Sequence, residues 1–348
     1  MYRGHTVGVV VPAYNEEEFV GDVLETVPPF VDYVYAVDDG SSDDTWTEIR
    51  NHAERINGAP EEDNTPHVVP LRHETNRGVG GAIKTGYLEA RADDVDVTVV
   101  MGGDGQMEPE MLDRLIDPIV EGRADYTKGN RFLHRTEREN MPAFRFVGNA
   151  VLGTLTKVAS GYWRSGDPQS GYTAISLRAL ERADIEGMYE YYGYCNDLLV
   201  KLNVAGLRVM DVPRPITYGD EESHISYSSY IPRVSWMLLR NFLWRLKTKY
   251  LLFDFHPLVV AYAAGAVGTV GAVGALPHLV YHRCDPLCAP TVDRLAVQHV
   301  GVLRGVGLEL DRGRRRRRGR TDADAVVVGE PELRVLHPVV LYEPLDRV

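Results

Sequence analysis

Short apolar runs rich in β-branched residues recur through the N-terminal third of this chain, and each stops at a polar or glycine-rich loop before an amphipathic stretch begins. Thr6–Val11 ends at Pro12, Tyr14 and Asn15, a loop signature. Glu16–Val27 then sets Phe19, Val20, Val23, Leu24 and Val27 at helical spacing. Tyr33–Val37 reads as a second strand, closed by Asp38-Asp39-Gly40-Ser41-Ser42, and Thr45–Ile56 as a second helix. Val68–Leu71 (strand), Gly80–Ala92 (helix) and Asp96–Met101 (strand) continue the alternation up to Gly102-Gly103-Asp104-Gly105. Unbroken apolar strands separated by helices predict an α/β fold, its mostly parallel sheet covered on both faces. Ligands of such sheets bind beyond the carboxyl ends of the strands. The site is therefore expected on the loops Pro12–Glu18, Asp38–Asp43 and Gly102–Gln106.

With 348 residues, 44% apolar and 25% charged, the chain has the composition of a globular protein. It is long enough to bury its own core, and three cysteines exclude a disulfide scaffold. A net charge of −12 excludes general nucleic-acid binding. Residues 283–348 sum to +2, so residues 1–282 carry −14. Only six of the 38 basic residues are Lys. An acidic, lysine-poor body suggests a salt-loving, halophilic source, since dense carboxylates hold hydration at high ionic strength. Met1-Tyr2-Arg3-Gly4-His5 opens no secretory signal, so the body is expected to stay in the cytoplasm.

Beyond Pro213 the character changes. No acidic residue occurs from Ser223 to Phe253, where Arg233, Arg240, Arg245, Lys247 and Lys249 are interleaved with Trp236, Met237, Leu238, Leu239, Phe242 and Trp244. This is either a basic amphipathic helix at a membrane surface or one docked on the protein core. Pro257–Pro277 is free of charge and long enough to cross a bilayer, with Gly265, Gly268, Gly271 and Gly274 spaced for helix packing; the alternative is a buried soluble helix. Basic residues before this span place the body on the cytoplasmic side. His278, His282, Cys284 and Cys288 have zinc-like spacing, but no second pair supports it. The tail includes Arg314–Arg318, and no helical or strand period survives beyond Val297–Val306. It is read as disordered, or as translated from a shifted frame of a GC-rich gene.

Six motifs in order carry a family resemblance. They are Val10-Val11-Pro12-Ala13-Tyr14-Asn15-Glu16, Val37-Asp38-Asp39-Gly40-Ser41-Ser42-Asp43, and His73-Glu74-Thr75-Asn76-Arg77-Gly78-Val79-Gly80-Gly81-Ala82. Gly102-Gly103-Asp104-Gly105-Gln106, Gly129-Asn130-Arg131-Phe132 and Asp167-Pro168-Gln169-Ser170-Gly171-Tyr172 follow. Over roughly residues 5–250 the chain resembles the inverting family 2 glycosyltransferases, and among them the dolichyl-phosphate sugar synthases. The resemblance implies an A-type glycosyltransferase fold with a nucleotide-binding half and an acceptor half. The catalytic domain would span 1–222, an interfacial helix region 223–253, a transmembrane helix 254–282 and the Arg-rich tail 283–348.

The resemblance also implies roles. Pro12, Tyr14 and Glu16 would line the nucleotide. Asp38 and Asp39 would accept hydrogen bonds from the base and ribose; read alone, the same residues make a turn with a helix cap at Ser41 or Ser42. Gly78, Gly80 and Gly81 open a helix containing Lys84, a start that favours phosphate; the alternatives are close packing and, for Lys84, a solvated face. The motif is neither a Rossmann fingerprint nor a P-loop. A D-x-D-type motif would bind Mg²⁺ or Mn²⁺; Gly102 stands at its first acidic position, leaving Asp104 with Gln106 as ligands. Arg131 has the guanidinium fork suited to an acceptor phosphate. Gln169 and Ser170 resemble the family's sugar-side and acceptor-side loop, and His224 is the remaining basic group of Tyr218–His224. Asp197 falls near the acceptor as a general base, or else begins a helix.

The expected activity is transfer of a hexose from a nucleotide diphosphate sugar to a polyprenyl or dolichyl phosphate at the cytoplasmic face of the cell membrane, with membrane lipids as partners. The alternatives are extension of a lipid-linked glycan, with Asp197 as base, and a catalytically inactive nucleotide-sugar-binding relative.

Overall fold

The computed structural model describes residues 1–60, 65–131, 143–214, 227–253, 255, 257–283 and 340–342. The elements run β1 (Val7–Ala13), α1 (Val20–Glu25), β2 (Tyr33–Asp38), α2 (Thr45–Asn57), β3 (His67–Arg72), α3 (Val79–Ala92) and β4 (Val97–Val100). Then come α4 (Leu112–Val120), β5 (Tyr126–Asn130), α5 (Ala143–Ser160), β6 (Thr173–Ser176), α6 (Leu177–Arg182), α7 (Tyr194–Val204) and β7 (Val209–Pro213). The last are α8 (Tyr227–Lys247), α9 (Leu258–Arg283) and β8 (Val340–Tyr342).

One eight-stranded sheet has the order β3-β2-β1-β4-β6-β5-β7-β8. Strands β1 to β4 are mutually parallel, as are β5 and β7, while β6 runs antiparallel to both its neighbours and β8 antiparallel to β7. The carboxyl ends of β1, β2, β3, β4, β5 and β7 therefore share one edge, and the amino end of β6 joins them there.

The strands are apolar on both faces because both are covered. Val7, Val9 and Val11 pack under α1, α2 and α4, against Val23, Leu24, Ile49, Leu112, Leu115 and Ile116. Val10 and Val100 point the other way, into Ala82, Ile83 and Tyr87 of α3 and Leu198, Leu199 and Leu202 of α7. Each buried Val, Leu or Ile among them contributes about 1.5–3 kcal/mol through removal from water.

Three expectations are corrected. The first helix is Val20–Glu25, shorter than Glu16–Val27. The Glu16 N–H is taken by Thr45 Oγ1 at 2.8 Å, which turns the chain before it coils, and Pro28-Pro29 stops the helix. Strand β1 runs on through Pro12, which lacks an N–H but whose carbonyl accepts the Gly103 N–H at 3.0 Å. The tail holds a strand, β8, paired in backbone register with β7. Edge pairing through the backbone needs no side-chain period.

Residues 1–255 together with 338–348 form one compact unit, and residues 256–337 another. Within the first, α8 docks Val234, Met237 and Leu238 against Ala159 of α5 and Val200 of α7. Trp236, Leu239 and Leu243 on its other face are exposed beside Arg233, Arg240 and Lys247. A π-helical segment, Thr248–Phe253, continues from it. In the second unit, Leu258–Leu276 of α9 has a mean hydropathy of 1.8 and is long and apolar enough to cross a membrane.

Candidate active site

A cavity of about 600 Å³ opens at the carboxyl edge of the sheet, within the range of small-molecule sites. Pro12, Tyr14, Glu16, Asp39, Gly78, Asp104, Arg131 and Gln169 all line it.

The first two loops lock each other. The Asn15 N–H donates to Ser41 Oγ at 2.9 Å, and Asn15 Oδ1 accepts the Ser42 N–H at 2.9 Å. The serines thus bind the β1 loop and do not cap α2; Asp43 Oδ1 accepts the Thr45 N–H at that helix start, at 3.1 Å. Asp39 organises the third loop. Its Oδ1 accepts the Arg77 N–H at 2.9 Å and its Oδ2 the Gly78 N–H at 2.7 Å, while His73 Nδ1 lies 2.6 Å from Oδ1. Gly78 is required there: its φ is +86°, and a Cβ would sit 2.7 Å from the Glu190 carbonyl oxygen.

The two adjacent carboxylates part company. Asp38 is fully buried, accepts the Ser41 N–H at 2.9 Å, pairs with Arg72 Nε at 3.0 Å and lies off the cavity lining. Consecutive residues at a strand end face opposite ways, so only Asp39 reaches the cavity. Lys84 also lies off the lining, its Nζ donating to Glu190 Oε1 at 2.9 Å. Arg77 Nη2 donates to the same oxygen at 2.6 Å, and the Glu190 carbonyl accepts the Gly81 N–H at 2.8 Å. The loop before α7 therefore occupies part of the helix start expected to face phosphate.

Asp104 stands in the cavity wall after β4. Its Oδ1 accepts the Gln106 N–H at 3.1 Å, while Gln106 itself lies off the lining. A Cβ on Gly102 would fall 2.9 Å from Asp104 Oδ1, so residue 102 sits directly beside that carboxylate. Among the described residues no three His, Cys, Asp or Glu side chains form a ready metal cage. A single open carboxylate suits a hard cation shared with a diphosphate, which keeps most of its other ligands as phosphate oxygens and water.

In the same cavity wall, Arg131 donates through Nε and Nη2 to Asp167, at 2.7 and 3.2 Å, a bidentate pair that fixes the guanidinium plane. Burial alone would raise the Asp167 carboxyl, but Arg131 and Lys128 outweigh it and hold it below the usual carboxylate range. Lys128 is itself buried, 2.9 Å from Asp211 Oδ1 and donating to the Asp167 carbonyl at 2.7 Å. Asp211 Oδ2 accepts Asn130 Nδ2 at 2.6 Å and the Gly166 N–H at 2.7 Å.

Ser170 is buried off the lining beside Gln169, its carbonyl accepting Cys195 Sγ at 3.4 Å. Asp197 is also off the lining and 2% exposed, accepting the Tyr189 N–H at 2.9 Å and Asn241 Nδ2 of α8 at 2.6 Å. Burial raises its carboxyl above the ordinary value. It ties the loop before α7 to α8. His224 and Phe132, like Cys284 and Cys288, lie outside the described residues.

Sequence reasoning missed Glu190, the exposed rim residues Tyr191 and Tyr192, Tyr230 of α8 and Arg214. Arg214 was within reach, since it follows the carboxyl end of β7 and the strand-end argument applies there as it does to β1.

Polar and glycine-rich loops at one end of a mostly parallel sheet, a carboxylate after β4 and an arginine held by Asp167 line one cavity, an arrangement suited to a group-transfer enzyme. Residues 8–183 match the family described as "Glycosyl transferase family 2", and the chain belongs to that family. It is an inverting glycosyltransferase.

Among its relatives is the UDP-N-acetylglucosamine–dolichyl-phosphate N-acetylglucosaminyltransferase of Methanococcus voltae, 32% identical over 216 residues, covering 61% of this chain and 86% of that one. The polyprenol monophosphomannose synthase of Mycolicibacterium smegmatis is 31% identical over 228 residues, covering 64% of this chain and 80% of that one. The crystal structure of glucosyl-3-phosphoglycerate synthase from Mycobacterium tuberculosis with Mn²⁺, UDP and phosphoglyceric acid is 19% identical, with a TM-score of 0.49, covering 70% of this chain and 78% of that one.

Proposed function

We propose that this glycosyltransferase moves a hexose from a nucleotide diphosphate sugar to a polyprenyl or dolichyl phosphate at the cytoplasmic face of a membrane. The observation that carries the reading is that Tyr230 of α8 lines the same cavity as Asp39, Asp104 and Arg131. The helix that exposes Trp236, Leu239 and Leu243 among Arg233, Arg240 and Lys247 thus opens onto the reaction centre. The named relatives acting on dolichyl and polyprenol phosphates support the acceptor class. Arg245, Lys247 and Lys249 precede α9, which favours the cytoplasmic side for the catalytic body.

Asp39 and Gly78 shape the nucleotide end, with Pro12, Tyr14 and Glu16 along its wall. Arg131, held flat by Asp167, aligns the acceptor phosphate. An oxygen of that phosphate attacks the anomeric carbon from the face opposite the leaving group. The new C–O bond forms as the bond to the nucleoside diphosphate breaks, so configuration inverts and the diphosphate carries away the electron pair. A phosphate acceptor is already anionic and needs no general base, which agrees with Asp197 lying away from the cavity. Catalysis is then alignment and charge stabilisation. Asp104 would hold Mg²⁺ or Mn²⁺, which when bound offsets charge on the departing diphosphate.

Membranes containing the chain, given radiolabelled nucleotide sugars in turn, test this. Label is expected in solvent-extractable lipid and only with a divalent cation, with a drop of about 100-fold or more in Asp104→Ala. Nucleotide-sugar binding without lipid label would overturn the reading in favour of the glycan-extending or inactive alternative.

A further inference from the structure

The loop from β4 to α4 carries Asp104, yet its sequence offers little stiffness. Gly102, Gly103 and Gly105 stand within four positions of one another, and Gly105 has a φ of +71°. Two side chains from the acceptor half hold this loop. Arg214, one residue past β7, donates from Nη2 to the Gln106 carbonyl at 2.8 Å. Its guanidinium lies over the Tyr172 ring, 5.3 Å from the centroid. Tyr172, one residue before β6, donates its hydroxyl to the Glu108 carbonyl at 2.7 Å. Gln106 in turn donates its N–H to Asp104 Oδ1.

Arg214 does not behave as a solvated surface cation. Its Nε is buried without a hydrogen-bond partner, and its backbone N–H donates to the Asn130 carbonyl at 3.2 Å, beside Arg131. A buried donor is left unpaired at a cost, and among the described residues its side-chain hydrogen bond goes to the loop bearing Asp104.

We propose that Arg214, seated on Tyr172, is a positioning residue that fixes the Gln106 carbonyl and so the turn presenting Asp104 to a divalent cation and diphosphate. This rests on the proposed function for the identity of the ligand. It links the end of β7 to the β4 loop across β5 and β6, so the acceptor half sets the geometry of the cation site.

The test uses the purified full chain in detergent, with Mn²⁺ binding followed by electron paramagnetic resonance in the presence of UDP and, separately, GDP. Arg214→Met keeps an apolar stem on Tyr172 but cannot donate. It is expected to weaken nucleotide-dependent Mn²⁺ binding about 10-fold or more, as loss of an outer-shell partner does, with metal-free nucleotide affinity unchanged. Arg214→Lys, which retains charge and donor, is expected to recover most of that loss. Should the Met variant melt early, Tyr172→Phe carries the test, with an expected loss of about fivefold, the worth of one hydrogen bond. Wild-type Mn²⁺ affinity in folded Arg214→Met or in Tyr172→Phe would overturn the proposal, as would an equal fall in metal-free nucleotide affinity. Absence of nucleotide-dependent Mn²⁺ binding in the wild type would instead overturn the cation site of the proposed function, and this inference with it.

Discussion

At the scale of single residues, the cavity wall around Arg131 depends on paired charges in a place with little water. Asp167 is buried, yet Arg131 and Lys128 keep its carboxyl below the ordinary range. A carboxylate depressed in the folded state contributes stability at pH values above its unfolded pKa, and that contribution is lost as pH falls through the folded value. Asp167→Asn is therefore expected to lower stability at pH 7 by about 1–3 kcal/mol. The gap from wild type should begin to narrow below about pH 4, where the carboxyl of the unfolded chain protonates, and close as pH falls on through the depressed folded value. Denaturant melts at pH 7 and pH 3.5 check this, and a gap that stays constant would show that the charge of Asp167 is immaterial. The same scale shows how finely sequence reading divides. Asp38 and Asp39 are adjacent and identical in type, but one faces Arg72 and the other the cavity. Nothing in the motif separates them, because direction is set by where β2 ends.

At the scale of elements, α8 shows two readings of one pattern to be compatible. Its acid-free, aromatic composition suits both a docking helix and a surface helix, and the structure buries Val234, Met237 and Leu238 while leaving Leu239 and Leu243 exposed. Leu239→Glu with Leu243→Glu leaves the docked face untouched and puts charge where a lipid would approach. The pair is expected to raise the KM for polyprenyl phosphate roughly 10-fold, from lost apolar contact, with nucleotide affinity unchanged. An unaltered acceptor KM would remove α8 from the acceptor's path. The first helix teaches the opposite lesson. Its apolar spacing extended from Phe19 to Val27, but a hydrogen bond from Glu16 to Thr45 and the Pro28-Pro29 pair cut it to Val20–Glu25. A period marks which face is apolar; caps and tertiary hydrogen bonds decide the length.

At the scale of the whole molecule, the catalytic sheet and the apolar α9 belong to separate compact units. The charge-free span within α9 satisfies the length and hydropathy needed to cross a bilayer. If it inserts, the full chain should remain in the membrane pellet after alkaline carbonate extraction; recovery in the supernatant would show attachment through the surface alone.

Much of this protein was legible in its residues. Apolar strands alternating with helices specified a covered, mostly parallel sheet, and polar strand ends specified the edge at which Pro12, Tyr14, Glu16, Asp39 and Asp104 meet, because buried strands and their exits follow local chemistry. What only the tertiary structure decided was every relation between segments far apart in sequence. The reversal of β6 within four residues, the short edge strand β8, the Arg131–Asp167 pair and the reach of Arg214 to Gln106 all depend on strand register. Register is a property of the packed sheet: it is fixed by long-range backbone pairing, which leaves no period in the sequence of a short strand.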